Sequence, residues 1–470
     1  MSILSAINAS RTGLMANSLR AELVSANIAN AQNESYSRRT LDVTGALSGG
    51  VSILGVSRST QTAMDAMFRG EWAAAAKQSV MVDSLTLYTT SLGEIDSETS
   101  LPGSLTAFEN AMALLSNAPE NETLQQQAVS AGRQLATALQ SASGGLSQME
   151  SRALSGIETD VEAANDLMEN VVRLNRNIAA TAPGSNAYAA LQDEMGATLD
   201  SLAEVMGIQV QYDEMGRAEV YTEGGVELVK GLEFQELAYN RTTQTLTAGN
   251  ENITPGASGR RGFDSGTLAG HIELMTETVP QMQLELDEMA RALIEGFEAA
   301  DTSLAAGDPG LFTDAGAAYN AANLEGLAGR ITVNAAVDPT QGGDLWRIRD
   351  GMSAVTEGAA SDPTQLLAFV DIFSATTAFD PAAGQGSTNT LSEFTSGIFA
   401  KQQNVRVDVQ ASLTSLSASA ETYRAARLDA RGVNIDTELQ NLTLVEQAYN
   451  ANSQALKTAI EMIDTLLAAV

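Results

Sequence analysis

The sequence predicts a mainly α-helical, multidomain α+β protein with β-containing insertions. Long segments with helical periodicity, separated by Gly- and Pro-containing turns, make up most of the chain, whereas extended segments are short and lie near 41–59 and in the middle. Aromatic residues are only 5% of the chain, which together with abundant Ala, Ser, Leu and Thr favours long helices. At 470 residues the chain is long enough for about three domains.

The last 36 residues have the periodicity of a coiled coil. Apolar side chains recur at alternating steps of four and three from Ile435, which places them along one seam of a helix. Asn434 is a suitable N-cap for this helix, and Gly432 is a suitable end for the one before it. The seam contains Leu439, Leu442, Tyr449, Leu456, Ile460, Ile463 and Leu467.

The first 30 residues have a weaker version of the same pattern, which includes Ile7, Leu14 and Ile28. A single amphipathic helix cannot bury such a stripe alone. We therefore expect the two ends to pair as a coiled coil, with each other or with neighbouring copies. The alternative is that each end simply covers a large internal core.

The segments between the two ends alternate between helical and extended periodicity. Residues 41–59 contain Gly49-Gly50 and predict an extended linker with a short strand or hairpin. Residues 63–207 predict a multi-helix bundle with breaks near 101–103, 116–122 and 181–186. The β-hairpin pattern of 208–254 is followed by a helix over 267–300 with a break near Pro280, a Gly- and Asp-rich mixed segment and a long helix over 393–431.

These elements predict four domains. They are a terminal axial coiled-coil domain with its linker (1–62 with 432–470), a helical-bundle body (63–207 with 263–300 and 395–431), a β-hairpin insertion (208–262) and a small mixed outer domain (301–394).

The charge of the chain argues against several classes of partner. The formal net charge is -32, so a nucleic acid or an anionic membrane surface would repel most of the molecule. No segment approaches the roughly 18 uninterrupted apolar residues of a bilayer span, and the N-terminal 20 residues lack the basic and apolar regions of a secretory signal peptide. We expect no nucleic-acid binding, no membrane insertion and no cleaved signal.

The sequence contains no recognisable catalytic or metal-binding motif. There is no cysteine, and His271, the single histidine, lies in a predicted helix where a structural or solvent-facing role is the better interpretation. We interpret the acidic residues Glu94, Asp96 and Glu98 as solvated surface and the loop 256–262 as a turn. We predict no enzyme activity, cofactor or metal; the enzymatic alternative is a hydrolase with a carboxylate pair.

Both ends of the chain resemble known signatures. The stretches "SANIANAQNESYSRRTLDV" (25–43) and "GVNIDTELQNLTLVEQAYNANSQALKTAIEMIDTLL" (432–467) are similar to those of bacterial flagellar axial proteins. Within that group, Tyr36 to Arg39 with "GVNIDTE" resembles the hook-associated protein 1 family, and stretches within 105–129, 175–210 and 265–293 agree. Ser35 departs from the family, which favours glycine there and thus a different local turn.

The resemblance implies a structural subunit of the bacterial flagellum that forms a homo-oligomeric ring at the hook-filament junction and joins the hook to the flagellin filament. Its implied partners are the hook protein, the next junction protein or flagellin, and a cytoplasmic export chaperone on the C-terminal helix. It implies an extracellular location after export without a cleaved signal peptide. The alternatives are a hook or rod type of axial protein, and an exported surface adhesin with a helical stalk that binds a ligand through 301–394.

By the same resemblance, a signature turn follows the first helix. Asn27 and Asn30 would end this helix, and Tyr36, Arg38 and Arg39 would anchor the chain as it enters the linker. We expect the two arginines to pair with acidic neighbours; the alternative is that they are ordinary surface arginines. The predicted subunit-assembly interface consists of Ile7, Leu14, Ile28, Leu439, Leu442, Tyr449, Leu456, Ile460, Ile463 and Leu467.

Overall fold

The computed structural model describes residues 3–46, 49–93, 97, 99–256 and 261–468. It is 64% helical with small antiparallel sheets, so the predicted fold class, mainly α with β insertions, is confirmed. The acidic residues Glu94, Asp96 and Glu98, and residues 257–260 of the predicted 256–262 turn, lie outside the described residues.

Helices follow the predicted segments closely. The α-helices are α1 (Ile3–Ala29), α2 (Thr62–Leu92), α3 (Leu101–Asn117), α4 (Glu122–Ala180), α5 (Asn186–Val205), α6 (Thr267–Glu273), α7 (Val279–Ala300), α8 (Leu327–Arg330), α9 (Arg347–Asp350), α10 (Thr364–Ser374), α11 (Leu391–Arg431) and α12 (Ile435–Ala468). Short 3₁₀ turns lie at Ala321–Asn323, Ala335–Val337, Pro339–Gln341 and Pro381–Ala383.

Capping side chains explain where several helices begin. The Ser100 and Ser185 hydroxyls accept hydrogen bonds from the first-turn N–H groups of α3 and α5, both at 3.1 Å. Asn434 caps α12 as predicted, since its Oδ1 accepts the Thr437 N–H at 3.0 Å. Pro102 lies in the first turn of α3, where its missing N–H costs no hydrogen bond. Residues 101–103 therefore begin a helix, and the predicted break lies just before them.

The predicted break near Pro280 is a widened turn. A π-helical stretch, Leu274–Thr278, directly precedes α7, and the Val279 N–H donates to the Leu274 carbonyl five residues earlier. A proline in the first turn of a helix lacks a donor and crowds the preceding carbonyl. Widening the turn relieves that crowding, so α6 leads into α7 without a loop.

The strands form small antiparallel sheets. They are β1 (Arg39–Gly45), β2 (Val51–Arg58), β3 (Ile208–Tyr212), β4 (Ala218–Thr222), β5 (Glu227–Lys230), β6 (Glu233–Phe234), β7 (Leu237–Asn240), β8 (Thr245–Ala248), β9 (Glu251–Asn252), β10 (Phe312–Asp314), β11 (Ile331–Val333), β12 (Thr377–Ala378) and β13 (Thr388–Asn389). The sheet orders are β1-β2, β3-β4-β5-β6, β7-β8-β9, β10-β11 and β12-β13.

The chain divides into two compact units. The terminal unit comprises Met1–Lys77, Glu158–Ala269 and Thr414–Val470, and the second unit comprises Gln78–Ile157 and Gly270–Leu413. Both chain ends and the 208–262 insertion belong to the terminal unit, whereas 301–394 belongs to the second unit. The division into four domains is finer than these two units and stays a prediction.

In the terminal unit, the insertion 208–262 is held against α4 by two asparagine side chains. The Asn165 amide donates to and accepts from the backbone of Leu237, at 3.0 and 2.8 Å. The Asn175 amide bonds the backbone of Ala218 in both directions, each at 2.8 Å. A pair of hydrogen bonds from one amide fixes both the position and the direction of a strand, so α4 orients both sheets of the insertion.

In the second unit, the core is a cluster of phenylalanines. Phe297 of α7 contacts Phe108, Phe312, Phe369 and Phe373, with ring centroids 5.2 to 6.1 Å apart. The residues come from α3, α7, β10 and α10, so the mixed segment 301–394 buries its apolar side chains against the flanking helices.

Candidate assembly surface

The first and last long helices pair inside the terminal unit, as predicted. Near one end of the pair the Asn27 amide donates to Glu438 Oε2 at 3.1 Å, and further along Gly13 lies against Asn452. Residue numbers rise along α1 as they fall along α12, so the helices are antiparallel. A Cβ at Gly13 would lie 2.8 Å from Asn452 Nδ2, so the Asn452 side chain occupies the space that the glycine leaves open. We call α1 and α12 the terminal pair.

The predicted interface residues of the terminal pair divide between covered and exposed positions. On α1, Ile7, Leu14 and Ile28 are half-buried. On α12, Leu442, Leu456 and Ile463 are half-buried, and the last two flank the buried Ala459 at steps of three and four. Residues at this spacing share one helix face, and this face is the side of α12 that the terminal unit covers.

The other predicted residues of α12 remain exposed. Leu439, Tyr449, Ile460 and Leu467 have 49%, 46%, 46% and 71% of their surface accessible to solvent. Together with the exposed Ile435 they lie beside the covered face, and we call these five residues the outer stripe. The structure therefore places the predicted seam partly against α1 and partly in solvent, because α12 is apolar over more than one face.

The signature turn is organised around the buried amide of Asn27. Its Oδ1 accepts hydrogen bonds from the Tyr36 hydroxyl at 2.8 Å and the Arg39 N–H at 3.0 Å, and its Nδ2 donates to the Arg39 carbonyl at 3.0 Å and to Glu438. One side chain thus joins the end of α1, the start of β1 and the first turn of α12. Asn30 has the simpler role of ending α1, since its amide donates to the Ala26 carbonyl at 2.9 Å.

Both signature arginines form ion pairs. Arg38 Nε donates to Glu438 Oε1 at 2.7 Å, and its backbone N–H donates to the Arg431 carbonyl at 2.9 Å. The Glu438 carboxylate is almost fully buried and accepts bonds from both Arg38 and Asn27. A buried carboxylate with two charged or polar donors is held in one geometry, so the start of α12 is fixed to the signature turn just before β1.

Arg39 points to the opposite side of the turn. Its Nη2 bonds Asp193 Oδ2 at 2.9 Å, Arg58 Nε bonds the other oxygen of Asp193 at 2.9 Å, and the Arg39 guanidinium stacks 4.7 Å from the Tyr36 ring centre. Burial raises the pKa of the Tyr36 phenol, with the Arg39 charge opposing that effect. Tyr36 therefore stays neutral and keeps the hydroxyl proton that it donates to Asn27.

A second ionic cluster holds the end of α11. Arg427 Nη1 and Arg69 Nε each bond an oxygen of Asp200 at 2.7 Å, and the Arg427 guanidinium lies 4.0 Å from the Phe68 ring centre. Burial, followed by the nearby Arg427 charge, lowers the pKa of Arg431. The helix that leads into α12 is thus anchored by buried charges before the chain turns into the terminal pair.

Sequence reasoning missed the acidic halves of these pairs. Asp193, Asp200 and Glu438 lie more than 100 residues from the arginines that they bind. A signal was present for Asp193, since it lies four residues after the buried Ala189, on the same face of α5. A carboxylate on an otherwise apolar helix face indicates a buried partner, although it does not identify which one.

His271, the single histidine of the sequence, is half-buried. His271 packs against Gly156, and burial lowers the pKa of its imidazole. In the described part of the chain, no cluster of three or more His, Asp or Glu side chains is placed to hold a metal ion. Among the described helices, none combines the length and apolar composition that a bilayer span requires.

Two protein families match the chain, one in its central part and one at its C-terminal end. A family described as flagellar hook-associated protein FlgK helical domain matches residues 90–308, and one described as flagellar basal body rod FlgEFG protein C-terminal matches 425–469. The second match covers the whole of α12, including its outer stripe from Ile435 to Leu467.

Relatives that match nearly the whole chain are also flagellar hook-associated proteins. The chain is 22% identical over 511 residues to flagellar hook-associated protein 1 of Bacillus subtilis (strain 168), covering 98% of this chain and 97% of the relative. It is 22% identical over 563 residues to the protein of the same name from Salmonella typhimurium (strain LT2), covering 98% and 99%. A solved structure, the flagellar hook junction protein FlgK from Burkholderia pseudomallei, is similar over 53% of this chain and 46% of that chain, with 19% identity and a TM-score of 0.43.

Proposed function

We propose that copies of this chain assemble as a ring at the hook-filament junction through the terminal pair. The family match and the full-length relatives identify the chain as a flagellar hook-associated structural protein of that junction. The two alternative functions, a hook or rod type of axial protein and a surface adhesin, have no support from these matches. The family is a structural one, and we propose no catalytic role and no cofactor for this member.

The observation that carries the ring proposal is the outer stripe. Five large apolar side chains follow one another along α12, each of them 45% or more exposed. Completing the burial of such side chains in a contact between copies gains on the order of 1 kcal/mol each. Few of these contacts are needed for a stable array, because each copy contacts more than one neighbour in a closed ring.

We propose that the signature turn sets the direction in which the terminal pair leaves the linker. Asn27, Tyr36 and Arg39 bond one another, and Arg38 ties the same turn to Glu438 at the start of α12. Copies in a ring need one common geometry, and the hydrogen bonds that the buried Asn27 amide makes to Tyr36 and Arg39 hold the turn in one arrangement.

Other flagellar axial components are the partners that the family implies. At the finer level, we propose that the ring contacts the hook protein on one side and the next junction protein or flagellin on the other. Before export, an exposed outer stripe would promote association in the cytoplasm. We therefore propose that an export chaperone covers α12 and that the chain reaches the flagellum without a cleaved signal peptide.

A charge placed on the outer stripe tests the proposed function. In the full chain, Tyr449→Glu with Ile460→Glu should reduce recovery of the protein with isolated flagella about tenfold or more, because each contact would have to bury an unpaired carboxylate. Gln447→Glu with Gln454→Glu is the matched control, since these exposed residues are on another face of α12 and add the same charge. Equal recovery of the stripe variant and the control would refute assembly through the outer stripe.

A further inference from the structure

A groove lies beside the terminal pair, on the side away from the outer stripe. It has a volume of about 400 Å³, and α1, β1 and α12 each contribute to its walls. Its apolar surface comes from Leu23 and Val24 of α1, Leu41 of β1, and Leu444 and Val445 of α12. Leu444 is 62% exposed at the rim, so the groove presents apolar surface that the single chain leaves uncovered.

The groove is basic in a strongly acidic protein. Arg20, Arg38 and Arg39 line it with a single carboxylate, Glu438. Arg38 is paired with Glu438 and Arg39 with Asp193. Arg20 forms no ion pair with any residue that the structure describes. An occupant with an apolar face and a carboxylate would satisfy both properties of the groove.

The distal part of α12 has this combination. Ile460, Asp464 and Leu467 follow the i, i+4, i+7 spacing of one helix face, and all three are exposed. The face therefore presents two large apolar side chains with a carboxylate between them. It forms the end of the outer stripe that is remote from the groove.

We propose that the distal face of α12 in one copy docks into the groove of the next copy, with Asp464 against Arg20. This proposal rests on the assembly function proposed above and identifies which segments meet. Asp464 and Leu444 of the same helix are 20 residues apart, or about 30 Å at 1.5 Å per residue. A chain cannot fill its own groove with this segment, so the occupant is a second copy.

The contact joins two different surfaces and is therefore head-to-tail. A head-to-tail contact repeats from copy to copy and forms a ring where the rotation closes, which is the arrangement a junction layer needs. A contact between identical surfaces would stop at a dimer. The two geometries can be distinguished by the products of covalent cross-linking.

Cysteine cross-linking tests the contact directly, because the natural chain contains no cysteine. A full-length Leu41→Cys, Leu467→Cys variant should form disulfides between copies in isolated flagella and give a ladder of covalent oligomers. Each single-cysteine variant should give no product larger than a dimer. The matched control is Leu41→Cys with Leu232→Cys, which places the second thiol on an exposed residue of the insertion and should give no ladder.

The result that would overturn the docking contact is assembled double-cysteine protein that yields no ladder, or only dimers. The assembly function would survive that result, since the protein would still be recovered with flagella. Failure of the assembly function itself would appear as absence of the unmodified chain from the hook-filament junction.

Charge reversal gives a second readout. Arg20→Glu and Asp464→Arg should each reduce recovery with flagella about tenfold, since like charges then face each other. The double variant should return to within about twofold of the natural chain, because the pair is restored with opposite sign. Arg11→Glu, at an exposed position of α1 outside the groove, is the control for added charge. Single losses without rescue in the double variant would overturn the pairing of Arg20 with Asp464.

Discussion

The phenylalanine core of the second unit is closed, whereas the terminal pair is open. Phe108, Phe297, Phe312 and Phe369 are fully buried within the second unit. Among the described residues of α12, Glu438 and Ala459 are the buried ones, although the helix spans 34 residues. If the proposed assembly is correct, apolar surface has two uses in this chain: one set of residues stabilises the fold of a single copy, and the other forms contacts between copies.

The largest effect is expected in the closed core. Phe297→Ala should lower the free energy of unfolding by about 3 to 5 kcal/mol, because it removes a ring that contacts four others and leaves a cavity. Urea unfolding of the full chain measures this. Val355→Ala, at a residue of the same unit that is 91% exposed, should change stability by less than about 0.5 kcal/mol. Similar values for the two variants would remove the contrast between core and surface.

A smaller effect is expected at the one buried carboxylate of the terminal pair. Glu438→Ala leaves the guanidinium of Arg38 and the amide of Asn27 without their shared acceptor, which should cost about 2 kcal/mol. The change should appear as faster hydrogen exchange in the first turns of α12. Glu446→Ala, an exposed carboxylate of the same helix, is the control. If both variants exchange alike, the buried ion pair does not hold α12 in place.

A third effect is a pH dependence of folding stability, expected at Asp160, which belongs to the terminal unit but not to the terminal pair. Burial raises the pKa of Asp160 from 3.8 to about 6, with the Thr267 hydroxyl acting in the opposite direction. The folded chain holds this proton more tightly than the unfolded chain, so stability falls as pH rises from about 4 to 6.

Asp160→Asn should remove that loss and raise the free energy of unfolding at pH 7 by about 1 kcal/mol. Unfolding titrations at pH 4 and pH 7 check it, and the variant should differ from the natural chain mainly at the higher pH. The outer stripe should stay exposed in this more stable variant. If the outer stripe became protected from solvent in this variant, its exposure in the natural chain would result from low stability of the terminal unit and not from a missing partner.

The smallest effect on folding is expected on the outer stripe. Ile460→Ala should change the free energy of unfolding of the isolated chain by less than about 0.5 kcal/mol. The same substitution at the fully buried Ile294 of α7 should cost about 2 to 5 kcal/mol. A large loss at Ile460 would show that a single copy already uses this side chain for its own fold.

Much of the fold could be predicted because its determinants are local. Asn434 and Gly432 mark the boundary between α11 and α12, and period-two segments mark the hairpins of the insertion. The fold of 301–394 could not be predicted, because its short elements pack against Phe108 of the distant helix α3 as well as Phe297 of the adjoining α7. Local periodicity carries no information on such packing.

The candidate site could be predicted in outline. The heptad pattern correctly located the terminal pair, but it placed Leu442 and Ile460 in one seam, whereas the structure covers the first and exposes the second. A helix with 3.6 residues per turn drifts relative to a repeat of 3.5, so a long apolar pattern spreads over neighbouring faces. The ion pairs of Arg38 and Arg39 depend on Glu438 and Asp193, whose proximity is a property of the tertiary fold.

Hydrogen exchange along α12 tests the central claim most directly, because it compares the same helix in the isolated chain and in assembled flagella. In the isolated chain, amides of residues 440–468 should exchange much faster than those of the closed core in α7, since the outer stripe has no partner. In assembled flagella the same amides should become slow. Slow exchange throughout 440–468 in the isolated chain, unchanged on assembly, would contradict the account.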